Sequence, residues 1–243
     1  MVTNKKGIIV WMIICLLIVF AFAEKESTGK CEICGERTTD CWVDSTGAIY
    51  CKNILVQFPN EATIDSYIVD IRCTEIGEEA FFGNQYLQSV IIQNGVSIIR
   101  SSAFACTNIK SIVLPESLLI IDDLSFMNCH SLRSITIPSK VWAIGWGAFV
   151  ECPLSSINIP DSVRYIASEA FVKTNITDVY FESDNFYTVD AVFRNNTNQQ
   201  ITFHFPKHDA NDEIWTIDHL LEFYNHLDLD YTVLYDMDVT NDF

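Results

Sequence analysis

Ile144-Gly145-Trp146-Gly147-Ala148-Phe149-Val150-Glu151-Cys152-Pro153-Leu154-Ser155-Ser156-Ile157-Asn158-Ile159-Pro160 is one statement of a pattern that the chain makes five times between Ile76 and Phe181. Its phenylalanine recurs as Phe81, Phe104, Phe126, Phe149 and Phe171, at spacings of 23, 22, 23 and 22 residues. A small residue precedes each one (Ala80, Ala103, Ser125, Ala148, Ala170), and an isoleucine stands five before it (Ile76, Ile99, Ile121, Ile144, Ile166). An apolar triplet follows each, as in Leu132/Ile135/Ile137, and Pro115, Pro138 and Pro160 close three of these triplets. A fixed period of this size is the mark of a solenoid with one coil per repeat. One such coil buries too little apolar surface to offset the entropy of ordering its own backbone, so it stands only when neighbours cover its faces.

The wording I-G-x-x-A-F-x-x-C-x-x-L-x-x-I-x-I-P is narrower than a general leucine-rich pattern. It resembles the BspA-like leucine-rich-repeat family of secreted and surface proteins. The resemblance implies an α/β repeat solenoid of the leucine-rich-repeat class, with a parallel sheet of short strands, about five 22–23-residue coils and capping hairpins. The expected organisation is a leader at 1–23, a cysteine-rich N-terminal cap at 24–75, the solenoid at 76–181 and a C-terminal cap with an acidic tail at 182–243.

The formal charge of the 243 residues is −17. Residues 1–23 hold two of the 15 basic residues and none of the 32 acidic ones, so the remainder carries 13 against 32, or −19. Phosphates repel such a surface, which argues against nucleic acid and against anionic membranes as partners.

Lys5 and Lys6 precede an uncharged apolar run from Gly7 to Ala23 that ends Ala21-Phe22-Ala23. This reads as a secretory signal peptide. An uncleaved signal anchor is the competing reading, because the run is just long enough to span a bilayer. Both place the remainder outside the cytosol.

Export decides how the cysteines are read. Cys31, Cys34, Cys41 and Cys51 have the spacing C-x2-C-x6-C-x9-C, which would suggest zinc or a redox pair in the cytosol and two disulfides of open pairing outside it. Cys106, Cys129 and Cys152 recur at 23 residues and are expected to stack as a ladder of small buried residues, with Cys73 also in the core.

Both flanks of the repeats read as pairs of short strands, Gly47–Tyr50 with Ile54–Pro59 and Asp190–Phe193 with Ile201–Pro206. A hairpin is therefore expected at each end, covering the solenoid's edges. Beyond Lys207 there are ten acidic residues and no lysine or arginine. Ile217, Leu220, Leu221 and Tyr224 follow helical spacing and Tyr231–Tyr235 reads as a strand. Asp228, Asp230, Asp236 and Asp238 could be drawn into a calcium site, but the glycine and terminal glutamate of an EF-hand loop are missing. A solvated acidic face is preferred, and no metal or other cofactor is assigned.

No G-x-S-x-G, H-E-x-x-H, G-x-x-x-x-G-K or G-x-G-x-x-G occurs, so no catalytic residue is assigned. The repeat offers a surface instead. Residues flanked by inward apolar positions must point outward, giving one column of Ser89, Ser111, Ser134, Ser156 and Asp178 and another of Ile91, Val113, Thr136, Asn158 and Tyr180. Asn175-Ile176-Thr177 and Asn195-Asn196-Thr197 are glycosylation sequons in a chain read as exported. The expected function is non-catalytic protein binding or adhesion at the cell surface or in secreted form. The resemblance implies host or extracellular-matrix proteins as partners. A secreted enzyme or inhibitor that uses the solenoid for recognition, and a structural surface-coat protein, are the alternatives.

Overall fold

The computed structural model describes residues 35, 37–183, 187–188, 192–193, 200–206 and 231–237. The chain divides into two compact units, Met1–Trp42 and Val43–Phe243. In the smaller unit, Thr38–Asp40 form a 3-10 turn that Asp40 closes by donating its N–H to Arg37 O at 2.9 Å. The apolar leader at 1–23, Cys31, Cys34, Asn195, the 217–224 segment and Asp228, Asp230 and Asp238 lie outside the described residues. No helix among the described residues is long and apolar enough to cross a membrane.

The strands in chain order are β1 (Cys41–Val43), β2 (Ile49–Cys51), β3 (Ile54–Gln57), β4 (Ser66–Ile68), β5 (Glu75–Ile76), β6 (Ser89–Ile91), β7 (Ile98–Ile99), β8 (Ser111–Val113), β9 (Ile120–Ile121), β10 (Ala143–Ile144), β11 (Ser156–Ile159), β12 (Tyr165–Ile166), β13 (Asp178–Phe181), β14 (Tyr187–Thr188), β15 (Ile201–Pro206) and β16 (Tyr231–Met237). From β2 onward one sheet runs β2-β3-β5-β7-β9-β10-β12-β14, with one two-residue strand per coil from β5 onward. Its members from β3 onward are parallel. The isoleucines five before each phenylalanine fall in register, Ile76 beside Ile99 beside Ile121 beside Ile144 beside Ile166, and all are fully buried. Second strands build two shorter parallel sheets, β4-β6-β8 and β11-β13-β15-β16.

The phenylalanines form a continuous stack. Neighbouring rings from Phe81 to Phe171 lie 4.6, 5.2, 5.2 and 5.3 Å apart, within 10° of parallel. The backbone N–H of each from Phe81 to Phe149 donates to the small residue of the next coil, as Phe104 does to Ser125 O and Phe126 to Ala148 O, both at 2.8 Å. The preceding residue is small because it is sealed in the interior: Ala80, Ala103, Ser125, Ala148 and Ala170 are at most 1% exposed.

The ring stack extends beyond the five repeats at both ends. Phe58 stacks on Phe81 at 5.0 Å and Phe193 on Phe171 at 5.3 Å, so the column runs one coil past each of residues 76 and 181. The N-terminal hairpin is present: β2 and β3 are antiparallel, turned by Lys52 and Asn53 at φ 49° and 64°. The C-terminal hairpin is not. β15 lies parallel to β13, and β16 parallel to β15, so the strand after Val192-Phe193 continues the coil direction instead of folding back.

The α in the expected α/β architecture is also corrected, since the 3-10 turn Thr38–Asp40 is the only helical element among the described residues. Where a helix would sit, two left-handed residues bracket every phenylalanine. Glu79, Ser102, Leu124, Gly147 and Glu169 stand two before it and Gly83, Cys106, Asn128, Glu151 and Lys173 two after, at φ between 54° and 73°. A right-handed helix cannot pass through left-handed residues four apart, and tight turns such as Ala148 N to Gly145 O and Val150 N to Gly147 O take its place.

These corners also move one cysteine. The interior place three after each phenylalanine is held by Asn84, Thr107, Cys129, Cys152 and Thr174, all buried. Cys106 occupies a left-handed corner, is half-buried and is not part of that ladder. The second coil is one residue shorter than the third, with 11 residues from Phe104 to Pro115 against 12 from Phe126 to Pro138, and the residue is lost after Thr107. What the ladder needs is a small side chain that donates inward: Thr107 Oγ1 to Phe104 O at 2.8 Å, Cys129 Sγ to Phe104 O at 3.1 Å, Cys152 Sγ to Phe126 O at 3.0 Å.

Candidate binding face

Period-two alternation in the second strand of each coil puts Val90, Ile157 and Val179 in the core and their neighbours outward. The register assembles the outward residues into columns. Ser66, Ser89 and Ser111 align across β4, β6 and β8, and beside them Ile68, Ile91 and Val113, which are 58%, 43% and 57% exposed. Ser156, Asp178 and Thr202 align across β11, β13 and β15, as do Asn158, Tyr180 and His204. Ser66, Ile68, Thr202 and His204 were not among the expected face residues. The run Ser66-Tyr67-Ile68-Val69 repeats Ser89-Val90-Ile91-Ile92 and would have revealed the first two.

The two ends of the face differ in chemistry. At β4-β6-β8 it is a serine column beside an exposed aliphatic one. At β11-β13-β15 the side chains bond to one another. His204 Nε2 meets Asp178 Oδ1 at 3.0 Å, and the imidazole holds the Asp178 carboxyl below its usual range. The same imidazole stacks on Tyr180 at 4.3 Å, and Asn158 Nδ2 donates to Glu182 Oε1 at 2.6 Å.

Between the two ends lies a break. Ser134 and Thr136 are exposed, as the alternation requires, but residues 132–138 form no strand and no sheet joins β8 to β11. The five strands expected side by side are therefore two sheets separated by an extended segment.

The cap is tied down by a chain of buried hydroxyls. Tyr67 OH donates to Asp44 Oδ2 at 2.6 Å, lies 2.6 Å from Tyr50 OH, and Tyr50 OH accepts from Asp70 N at 3.1 Å. Burial pushes the Tyr50 phenol up to about 12, and burial plus the bond to Asp44 raises Tyr67 further. Cys41 and Cys51 are disulfide-bonded, while Cys73, Cys106, Cys129 and Cys152 are free thiols. Of the sequons, Asn175 is exposed. Among the described residues no group of three or more His, Cys, Asp or Glu side chains is placed to hold a metal.

Short parallel strands at a 22–23-residue period around one phenylalanine column define a leucine-rich-repeat β-solenoid. The chain belongs to the BspA type leucine-rich-repeat family, whose repeat region matches it in six copies over residues 56–177 and 98–211. Among solved structures, the pneumococcal vaccine antigen PcpA is similar at 20% identity and a TM-score of 0.65, with 83% of this chain and 49% of that one covered. A leucine-rich cell surface protein of Faecalibacterium prausnitzii A2-165 is similar at 26% identity and a TM-score of 0.52, covering 59% and 38%. A leucine-rich-repeat protein of T. pallidum is similar at 23% identity and 0.51, covering 68% and 82%. The chain thus spans half or less of the first two relatives. No curated protein matches it.

Proposed function

We propose that this chain is a secreted or surface-displayed, non-catalytic binding protein that recognises a protein partner through the outward columns of its second-strand sheets. The observation that carries the proposal is the register-aligned column of Ile68, Ile91 and Val113, each 43–58% exposed on a rigid sheet. Aliphatic side chains kept in water on a regular scaffold are costly to leave uncovered, which favours a partner that buries them. Export is supported by the apolar leader and by the disulfide-bonded Cys41 and Cys51, since such bonds persist in oxidising compartments. The surface location of the F. prausnitzii relative agrees with this reading. Host or extracellular-matrix proteins are the partners proposed, with adhesion as the outcome. Immobilised matrix proteins exposed to the purified chain should retain it, and retention should fall when Ile91 and Val113 are both changed to lysine. Retention unaffected by those changes would move recognition off this face.

A further inference from the structure

β4 is the last strand of the β4-β6-β8 sheet, and among the described residues no strand pairs with its outer edge. Successive residues of a strand turn their backbone groups to opposite edges. Tyr67 pairs with Val90 of β6, while Val69 N donates to Ile91 O at 2.9 Å and Asp65 O accepts from Gln88 N and Ser89 N at 2.8 and 2.9 Å. The N–H and C=O groups of Ser66 and Ile68 therefore face away from β6, and among the described residues nothing bonds to them. The companion sheet is treated differently, because there β2 covers the edge of β3.

Open edges are normally blunted by lysine, proline or a bulge. Ser66-Tyr67-Ile68 has none of these, and only its shortness protects it. The side chains beside it suit an occupant: Ile68 and Ile71 are 58% and 60% exposed. Glu61 and Asp65 are exposed on the segment leading into the strand, and neither has an ion pair among the described residues. A second copy would bring the same acids and another −17 to this edge. We propose that the β4 edge is a strand-addition site for an extended segment of a partner protein, with alternating apolar residues and flanking lysine or arginine. The partner's backbone pairs with Ser66 and Ile68, its apolar side chains lie along Ile68 and Ile71, and its cations meet Glu61 and Asp65.

The purified full chain is titrated with a synthetic peptide, Lys-Val-Thr-Val-Thr-Val-Lys, and binding is read by fluorescence anisotropy of a labelled terminus. Methylating the peptide's alternate backbone nitrogens, or replacing its lysines with glutamate, should each weaken binding by about tenfold or more. Ile68→Pro removes the edge donor while leaving Tyr67 paired with β6, and should have the same effect without lowering Tm. Thr136→Arg, in the exposed segment between the two second-strand sheets, should leave peptide binding unchanged. Equal binding of the methylated peptide, or no binding up to about 1 mM, overturns the proposal independently of how the variants fold. A dimer in sedimentation that Ile68→Pro abolishes overturns it in favour of a second copy as occupant.

Discussion

The rings of Phe126 and Phe149 lie 5.2 Å apart and 3° from parallel. Phe149 meets Phe171 on its other face at 5.3 Å, so it is covered on both sides by the same residue type. Nothing else in the coil contributes as large a buried surface, which makes the column the axis of nearest-neighbour coupling between coils.

Phe149→Ala is expected to cost ~3 to 5 kcal/mol through lost burial and a cavity. Urea unfolding followed by hydrogen exchange should show the third and fifth coils losing protection before the hairpin of β2 and β3. A loss confined to the fourth coil would show that the rings stack without coupling.

Ser125 stands where the other coils have alanine. It is fully buried, and its hydroxyl has no partner among the described residues. Ser125→Ala should raise stability by about 1 kcal/mol by removing an unsatisfied polar group. A fall in the urea midpoint would mean that the hydroxyl is bonded after all.

Thr136 is exposed within the segment that separates the two second-strand sheets. Thr136→Arg should alter stability by less than about 0.5 kcal/mol, as surface substitutions do. If the partner bridges both sheets, this bulky charge should weaken its binding about tenfold, or 1.4 kcal/mol. Unchanged binding with intact melting confines recognition to one of the two sheets.

Tyr50 and Tyr67 hold their protons more tightly folded than unfolded, because burial disfavours the phenolate. The stability they contribute is complete below the unfolded value of about 10 and drains away as pH rises through the native value. For Tyr50 that native value is about 12. Tyr67→Phe should cost about 1.5 to 3 kcal/mol at pH 7, where it leaves Asp44 one donor short. Its stability should then decline less steeply in alkali than that of the parent. Parallel alkaline curves would show that this network does not govern unfolding at high pH.

Cys106 sits half-buried at a corner, whereas Cys129 and Cys152 are sealed in the interior and burial pushes the Cys73 thiol up to about 11. Iodoacetamide on the native chain should modify Cys106 about tenfold faster than the other three, following its exposure. Equal rates across all four would place Cys106 back in the ladder.

Much of the solenoid is decided by the sequence alone, because covalent spacing sets which residues can be equivalent. A 22–23-residue period places Phe81 to Phe171 in one column and Ile76 to Ile166 in another, whatever the coil's shape. Period-two alternation does the same for the direction of Ser89, Ile91 and Thr136. Only the tertiary structure shows how equivalent segments meet. Eight of the ten left-handed corner residues are not glycine, so nothing local marks them, and six of those eight donate their backbone N–H to the next coil. Cys106 keeps a 23-residue step to Cys129 yet falls outside the ladder, because the missing residue lies between the two. The break at Ser134–Ile137, the parallel course of β15 and the edge position of β4 depend on lateral offset between neighbouring coils. Strand pairing requires two backbones at hydrogen-bonding distance, and a repeat pattern constrains side-chain direction without setting that distance.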